Sequence, residues 1–78
     1  MTRKQINEIK KQIENDIGFK RTNIILLECD GKSFYSGKYE YVMFEVCGKQ
    51  YQYYWDFYDD KARLYFYDAD VCMRKQIF

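Results

Sequence analysis

At 78 residues, with 47% hydrophobic and 32% charged side chains, the chain has the composition of one small folded globular domain; it is too short for a second core and too apolar for a disordered segment. Thirteen basic and twelve acidic residues leave a net charge of +1, which lacks both the basic surplus of a duplex nucleic-acid binder and the acidic surplus of a nucleic-acid mimic. Histidine is absent and the three cysteines, Cys29, Cys47 and Cys72, have no CxxC spacing, so no zinc site, full disulfide framework or imidazole-dependent catalytic centre is indicated.

The first segment carries a complete set of helix signals. Thr2 with Gln5 forms an S/T-x-x-E/Q capping box, Gly18 suits the left-handed closing position, and Ile6, Ile9, Ile13 and Ile17 make one apolar stripe. Phe19 is placed to fold back on the last turn. Lys4, Glu8, Lys11 and Glu14 are left for water. Next, the β-rich run before Asp30-Gly31 predicts a strand over residues 21–29 that ends in a tight hairpin turn. Its apolar residues alternate onto both faces, Ile24 and Leu26 on one and Ile25 and Leu27 on the other, so both faces are expected to be covered.

The densest stretch follows, with six aromatic residues in the eight positions 51–58. A turn at Gly48-Lys49 would pair Val46 with Tyr51, Phe44 with Tyr53 and Val42 with Trp55 on one face, and Phe57 shares their parity. That face meets the isoleucine stripe as core. The alternate parity sets Glu45 opposite Gln52, Met43 opposite Tyr54, Tyr41 opposite Asp56 and Tyr39 opposite Tyr58. A second turn at Asp59-Asp60 leads into a strand with Ala62, Leu64 and Phe66 inward and Arg63, Tyr65 and Tyr67 outward, which would bring Arg63 opposite Asp56. The tail is ambiguous: Asp68 or Asp70 could cap a short helix, the form favoured, and Val71, Met73 and Ile77 also suit a strand. The expected architecture is an N-terminal helix on one face of a four-stranded antiparallel meander, with a short C-terminal helix or strand.

No residue pattern supplies a chemistry. The four glycines are isolated, so there is no phosphate-cradling loop, and adjacent aspartates such as Asp59 and Asp60 are commonly turn formers rather than metal ligands. Each cysteine reads most simply as a small apolar filler. No cofactor or metal is therefore expected, and no enzymatic activity. What stands out is the second sheet face, where Tyr39, Tyr41, Met43, Tyr54, Asp56, Tyr58, Arg63, Tyr65 and Tyr67 would lie together, with Asp59 and Asp60 in the neighbouring turn. Tyrosine and methionine are enriched, and lysine depleted, at the centres of protein interfaces. The alternative is that the tail covers part of this face as a second small core. Single-stranded nucleic acid is the rival partner, yet stacking surfaces pair their rings with cations, and Arg63 is the only cation expected on this one. A homodimer that buries the second side of strand one is a third possibility.

In size and composition the chain is similar to short single-domain proteins of phages and mobile elements from AT-rich bacterial genomes, which are rich in Lys, Ile, Asn and Tyr. Many of those, anti-CRISPRs among them, inhibit a host enzyme by binding it. The resemblance implies a host protein or protein complex as partner. With no apolar run long enough to span a bilayer and no signal-peptide pattern, the expected location is the cytoplasm, that of a bacterial host cell if the protein is phage-encoded.

Overall fold

The computed structural model describes residues 2–34, 36–68 and 73–76. One helix, α1 (Arg3–Ile17), is followed by a 3-10 turn (Arg21–Asn23) and five strands: β1 (Ile25–Cys29), β2 (Tyr41–Val46), β3 (Lys49–Asp56), β4 (Lys61–Asp68) and β5 (Met73–Gln76). The strands pair antiparallel in sequence order, so the sheet is a meander with β1 and β5 at its edges. The α+β architecture with α1 on one face of an antiparallel meander is the one the patterning predicts. The favoured C-terminal helix is not: Met73–Gln76 is a strand along β4, where the ladder opposite Tyr65–Asp68 satisfies backbone groups that a helix would leave unpaired. Asp70, Val71, Cys72 and Ile77 lie outside the described residues.

The helix forms where its caps place it. Thr2 N–H donates to Gln5 Oε1 at 2.9 Å and Gln5 N–H donates to Thr2 Oγ1 at 3.1 Å, closing the capping box. Gly18, at φ 103°, ends the helix by turning its N–H back to the Ile13 and Glu14 carbonyls. Ile9 and Ile13 are completely buried against Val42, Phe44, Tyr53 and Leu64, and Ile6 and Ile17 are half-buried. Phe19 packs across the sheet, its ring 5.8 Å from Phe44 and 5.1 Å from Tyr51.

The central hairpin keeps the expected faces in a different register. Its turn is Cys47-Gly48, with both residues at positive φ (52° and 78°), as a two-residue primed turn requires. Val46 therefore faces Lys49, Phe44 faces Tyr51 and Val42 faces Tyr53, each pair offset by two residues from the expected one. A two-residue slip preserves the side-chain alternation, so every core residue of β2 and β3 stays inside. The β3–β4 connection is a four-residue turn over 57–60, and Asp56 faces Lys61. Phe57, expected in the core, is 44% exposed, because the Asp56 carboxylate closes the turn directly behind the strand and carries Phe57 out of the ladder.

Strand one departs most from expectation. Residues 21–23 are a 3-10 turn, tied by Arg21, whose backbone N–H and guanidinium both reach Glu14. Asp30-Gly31 makes no tight turn: Asp30 N–H bonds to the Tyr41 carbonyl, and the excursion closes further out, where Ser33 N–H bonds to the Lys38 carbonyl at 2.8 Å. The second side of β1 is also open. Ile24 and Leu26 join the core, whereas Ile25 and Leu27 are 56% and 47% exposed, because α1 covers only the inner face.

Candidate functional site

Alternation in β2, β3 and β4 brings a set of large polar and aromatic side chains to the face away from α1. Across the strands, Tyr41 faces Tyr54 and then Arg63, Met43 faces Gln52 and then Tyr65, and Glu45 faces Gln50 and then Tyr67. The Tyr41 and Tyr54 ring centres lie 5.1 Å apart with planes tilted by 51°, and Tyr54 meets Tyr65 edge to face at 5.5 Å and 89°. The three rings brace one another in a row over three strands. All three are half-buried. Edge-to-face contacts of this kind add about 0.5–1.5 kcal/mol beyond area burial and hold the rings in fixed rotamers.

The row ends at a charged corner. Arg63 Nη2 lies 3.2 Å from Asp56 Oδ2 and 3.0 Å from Asp59 Oδ2. Asp56 Oδ1 accepts the N–H groups of Tyr58 and Asp59, at 3.0 and 3.1 Å, and so holds the turn. The bond from the Asp59 N–H, then the Arg63 guanidinium and the Tyr58 N–H, draw the Asp56 carboxyl below the usual carboxylate range, against a smaller opposing effect of desolvation. Tyr54, Trp55, Asp56, Arg63 and Tyr65 line an open depression of about 260 Å³ at this corner.

Tyr41, Met43, Tyr54, Asp56, Arg63, Tyr65 and Tyr67 thus share one face, and Asp59 and Asp60 sit in the adjoining turn. Tyr39 and Tyr58 do not belong to it. Tyr39 is 6% exposed in the core, because Gln12 grips its backbone from the helix and turns its ring inward, out of the β2 alternation. Tyr58 is at the tip of the four-residue turn, 87% exposed and stacked on Phe57 at 4.3 Å. Arg63 does meet Asp56, but diagonally, since its direct partner is Tyr54. Sequence reasoning left this segment between helix and strand and did not place it beside β4, where β5 sets Gln76 opposite Tyr65 and Arg74 opposite Tyr67. The run Met-Arg-Lys-Gln has no alternation that would have revealed it.

A second polar cluster ties α1 to the inner face. Tyr53 is fully buried; its hydroxyl donates to Asp16 Oδ2 at 2.7 Å and accepts from Gln12 Nε2 at 2.9 Å. The same Gln12 amide donates to the Tyr39 carbonyl at 2.9 Å and accepts the Tyr39 N–H at 3.0 Å. Lys38 pairs with Asp16 at 3.2 Å, and its ammonium stands 3.7 Å above the centre of the Trp55 ring. Burial, then the bond to Asp16, push the Tyr53 phenol well above its ordinary value. Burial followed by the Glu8 carboxylate does the same, in direction, to Tyr39. These groups are positioned as braces, each satisfied by a neighbour.

Cys29 is half-buried, and burial followed by the Asp30 charge raises its thiol, which suppresses the nucleophilic thiolate. Among the described residues no group of three or more His, Cys, Asp or Glu side chains is placed to hold a metal ion, and no helix is long and apolar enough to cross a membrane. Comparison with known proteins adds no assignment. No family model, curated protein or solved structure matches the chain.

Proposed function

We propose that the protein is a non-catalytic protein-binding module that uses the tyrosine-rich sheet face and the aspartate turn to inhibit a host protein, in the manner of small phage and mobile-element counter-defence proteins such as anti-CRISPRs. The observation that supports binding is the braced row Tyr41–Tyr54–Tyr65, flanked by Met43 and Gln52. Rings already fixed in place lose little rotamer freedom on binding and present broad apolar area with polar tips. The phage-type reading rests on size and composition, and places the protein in the cytoplasm of a bacterial host.

Ring geometry favours protein over single-stranded nucleic acid. Bases stack on freely exposed ring faces, whereas Tyr41, Tyr54 and Tyr65 are half-buried and packed against one another. The one guanidinium in the row's corner is already engaged by Asp56 and Asp59.

The test is capture from host lysate with the tagged protein, followed by mass spectrometry, beside the triple variant Tyr41→Ser/Tyr54→Ser/Tyr65→Ser. The wild type is expected to retain a host protein that the variant, still unfolding cooperatively, does not. Capture that survives the triple substitution would sink the assignment to this face. Tight binding of short oligonucleotides at low salt would move it to nucleic acid.

A further inference from the structure

Helix α1 carries four basic residues, Arg3, Lys4, Lys10 and Lys11, and three acidic ones, Glu8, Glu14 and Asp16. In an isolated helix Lys4 with Glu8 and Lys10 with Glu14 would pair at the i,i+4 spacing. The fold draws the acids elsewhere. Lys32 reaches Glu8 at 4.0 Å, Arg21 reaches Glu14 at 3.2 Å and Lys38 reaches Asp16 at 3.2 Å, so each helix carboxylate is met by a cation from outside the helix. Among the described residues, none of the four helix cations has an ion-pair partner within 4 Å.

Helix stability does not account for them. The first turn holds Arg3 and Lys4 and no acidic residue, the arrangement that the helix dipole disfavours. Arg3, Lys4, Asn7 and Lys11 fall at spacings of three and four on the side opposite Ile9 and Ile13, and all four are exposed. With Glu8 and Arg21 they line an open depression of about 460 Å³. Charge is segregated along the chain as well: residues 1–23 carry six basic and three acidic side chains, or +3, and residues 24–78 carry seven and nine, or −2. The net charge of +1 conceals a cationic face.

We propose that this face of α1 binds the phosphate backbone of duplex DNA without reading its sequence. Charge complementarity selects a polyanion. The face's own side chains select which one. Arg3, Lys4, Asn7 and Lys11 offer no ring on which a base could stack, which sets single strands aside. They offer no apolar group to enter a bilayer, since the buried isoleucines of α1 pack in the core. The major groove of B-DNA, about 12 Å wide, admits an α-helix, whereas that of double-stranded RNA is too deep and narrow. Three cations and one amide place the contact in the weak, non-specific class. It does not depend on what the tyrosine face binds, because that face lies on the other side of the sheet from α1.

Fluorescence anisotropy of a labelled DNA duplex of arbitrary sequence, titrated with the protein over a range of salt, tests it. At about 50 mM NaCl the dissociation constant should be about 10–100 µM, and the log of the affinity should fall against log salt with a slope of about −2.7. Lys4→Gln/Lys11→Gln should weaken binding at least about tenfold and reduce the slope by about 1.8, and Arg3→Gln alone should reduce it by about 0.9. The same charge removed outside the depression, in Lys49→Gln/Lys61→Gln, should change the affinity less than about twofold, as should the triple tyrosine variant. No binding of the duplex at about 50 mM NaCl overturns the proposal, and so does an equal loss in Lys49→Gln/Lys61→Gln, which would mean that net charge alone acts. Tighter binding of the single strand, of an RNA duplex or of phosphatidylserine vesicles than of the DNA duplex overturns it too. Loss of duplex binding in the triple tyrosine variant would move the contact to the sheet, whereas failure of that face to capture a protein leaves this one standing.

Discussion

Tyr53 buries its whole ring and keeps its hydroxyl satisfied twice, by donating to Asp16 and accepting from Gln12. Removing that oxygen leaves the Asp16 carboxylate and the Gln12 amide each one partner short at the helix–sheet seam. Tyr53→Phe is expected to lower stability by about 1–2 kcal/mol, measured by urea unfolding at neutral pH. Its pH signature is distinctive. The folded phenol titrates above the unfolded value of about 10, so the folded state holds the extra proton and its contribution is complete below pH 10. As pH rises past 10, the unfolded chain gives up this proton first and stability falls, by up to about 1.4 kcal/mol per unit for one such group. Tyr53→Phe should flatten that alkaline decline; an identical slope in wild type and variant would show that the buried phenol is not its source. The ring's burial was legible from its parity with Tyr51 and Trp55. The network was not, because which backbone group Gln12 must satisfy depends on how the chain turns at Tyr39, and no local pattern encodes that turn.

The central hairpin shows what an element's sequence does and does not determine. Gly48-Lys49 and Cys47-Gly48 each offer one glycine and one residue that must accept positive φ, so turn chemistry alone leaves the register undecided. Packing decides it. The observed register stacks Phe44 on Tyr51 at 5.6 Å and sets Tyr41 against Tyr54, while the Trp55 N–H extends the ladder to the Glu40 carbonyl. Parity survives either choice, which is why the tyrosine face could be read before its pairings could. Cys47 sits at φ 52°, where a side chain with a Cβ is strained and asparagine is tolerated better. Cys47→Asn is expected to stabilise the protein by about 0.5 kcal/mol, raising Tm by a few degrees at this chain length. A lower Tm would mean that the thiol makes a contact the turn geometry does not account for. Helix α1 was legible nearly residue by residue, because both of its caps lie in the sequence.

At the scale of the whole molecule, α1 covers one side of the sheet, which leaves a half-buried aromatic face on the other and an apolar strand at one edge. Every strand pairs with its neighbour in sequence, and the chain contains no proline. Local pairing makes folding fast, and without proline there is no isomerisation step lasting tens of seconds. Stopped-flow refolding should therefore show a single phase complete well within a second; a slow second phase would point to association or misregistration instead. The long reach of the helix's contacts has its own consequence during synthesis. The isoleucine stripe is made first, but its binding surface includes Tyr53 and Leu64, far later in the chain. As the nascent polypeptide leaves the ribosome, α1 must wait for the third and fourth strands before Ile9 and Ile13 can leave water. For most of its translation the isoleucine stripe is thus exposed apolar surface, of the kind that promotes aggregation and recruits chaperones.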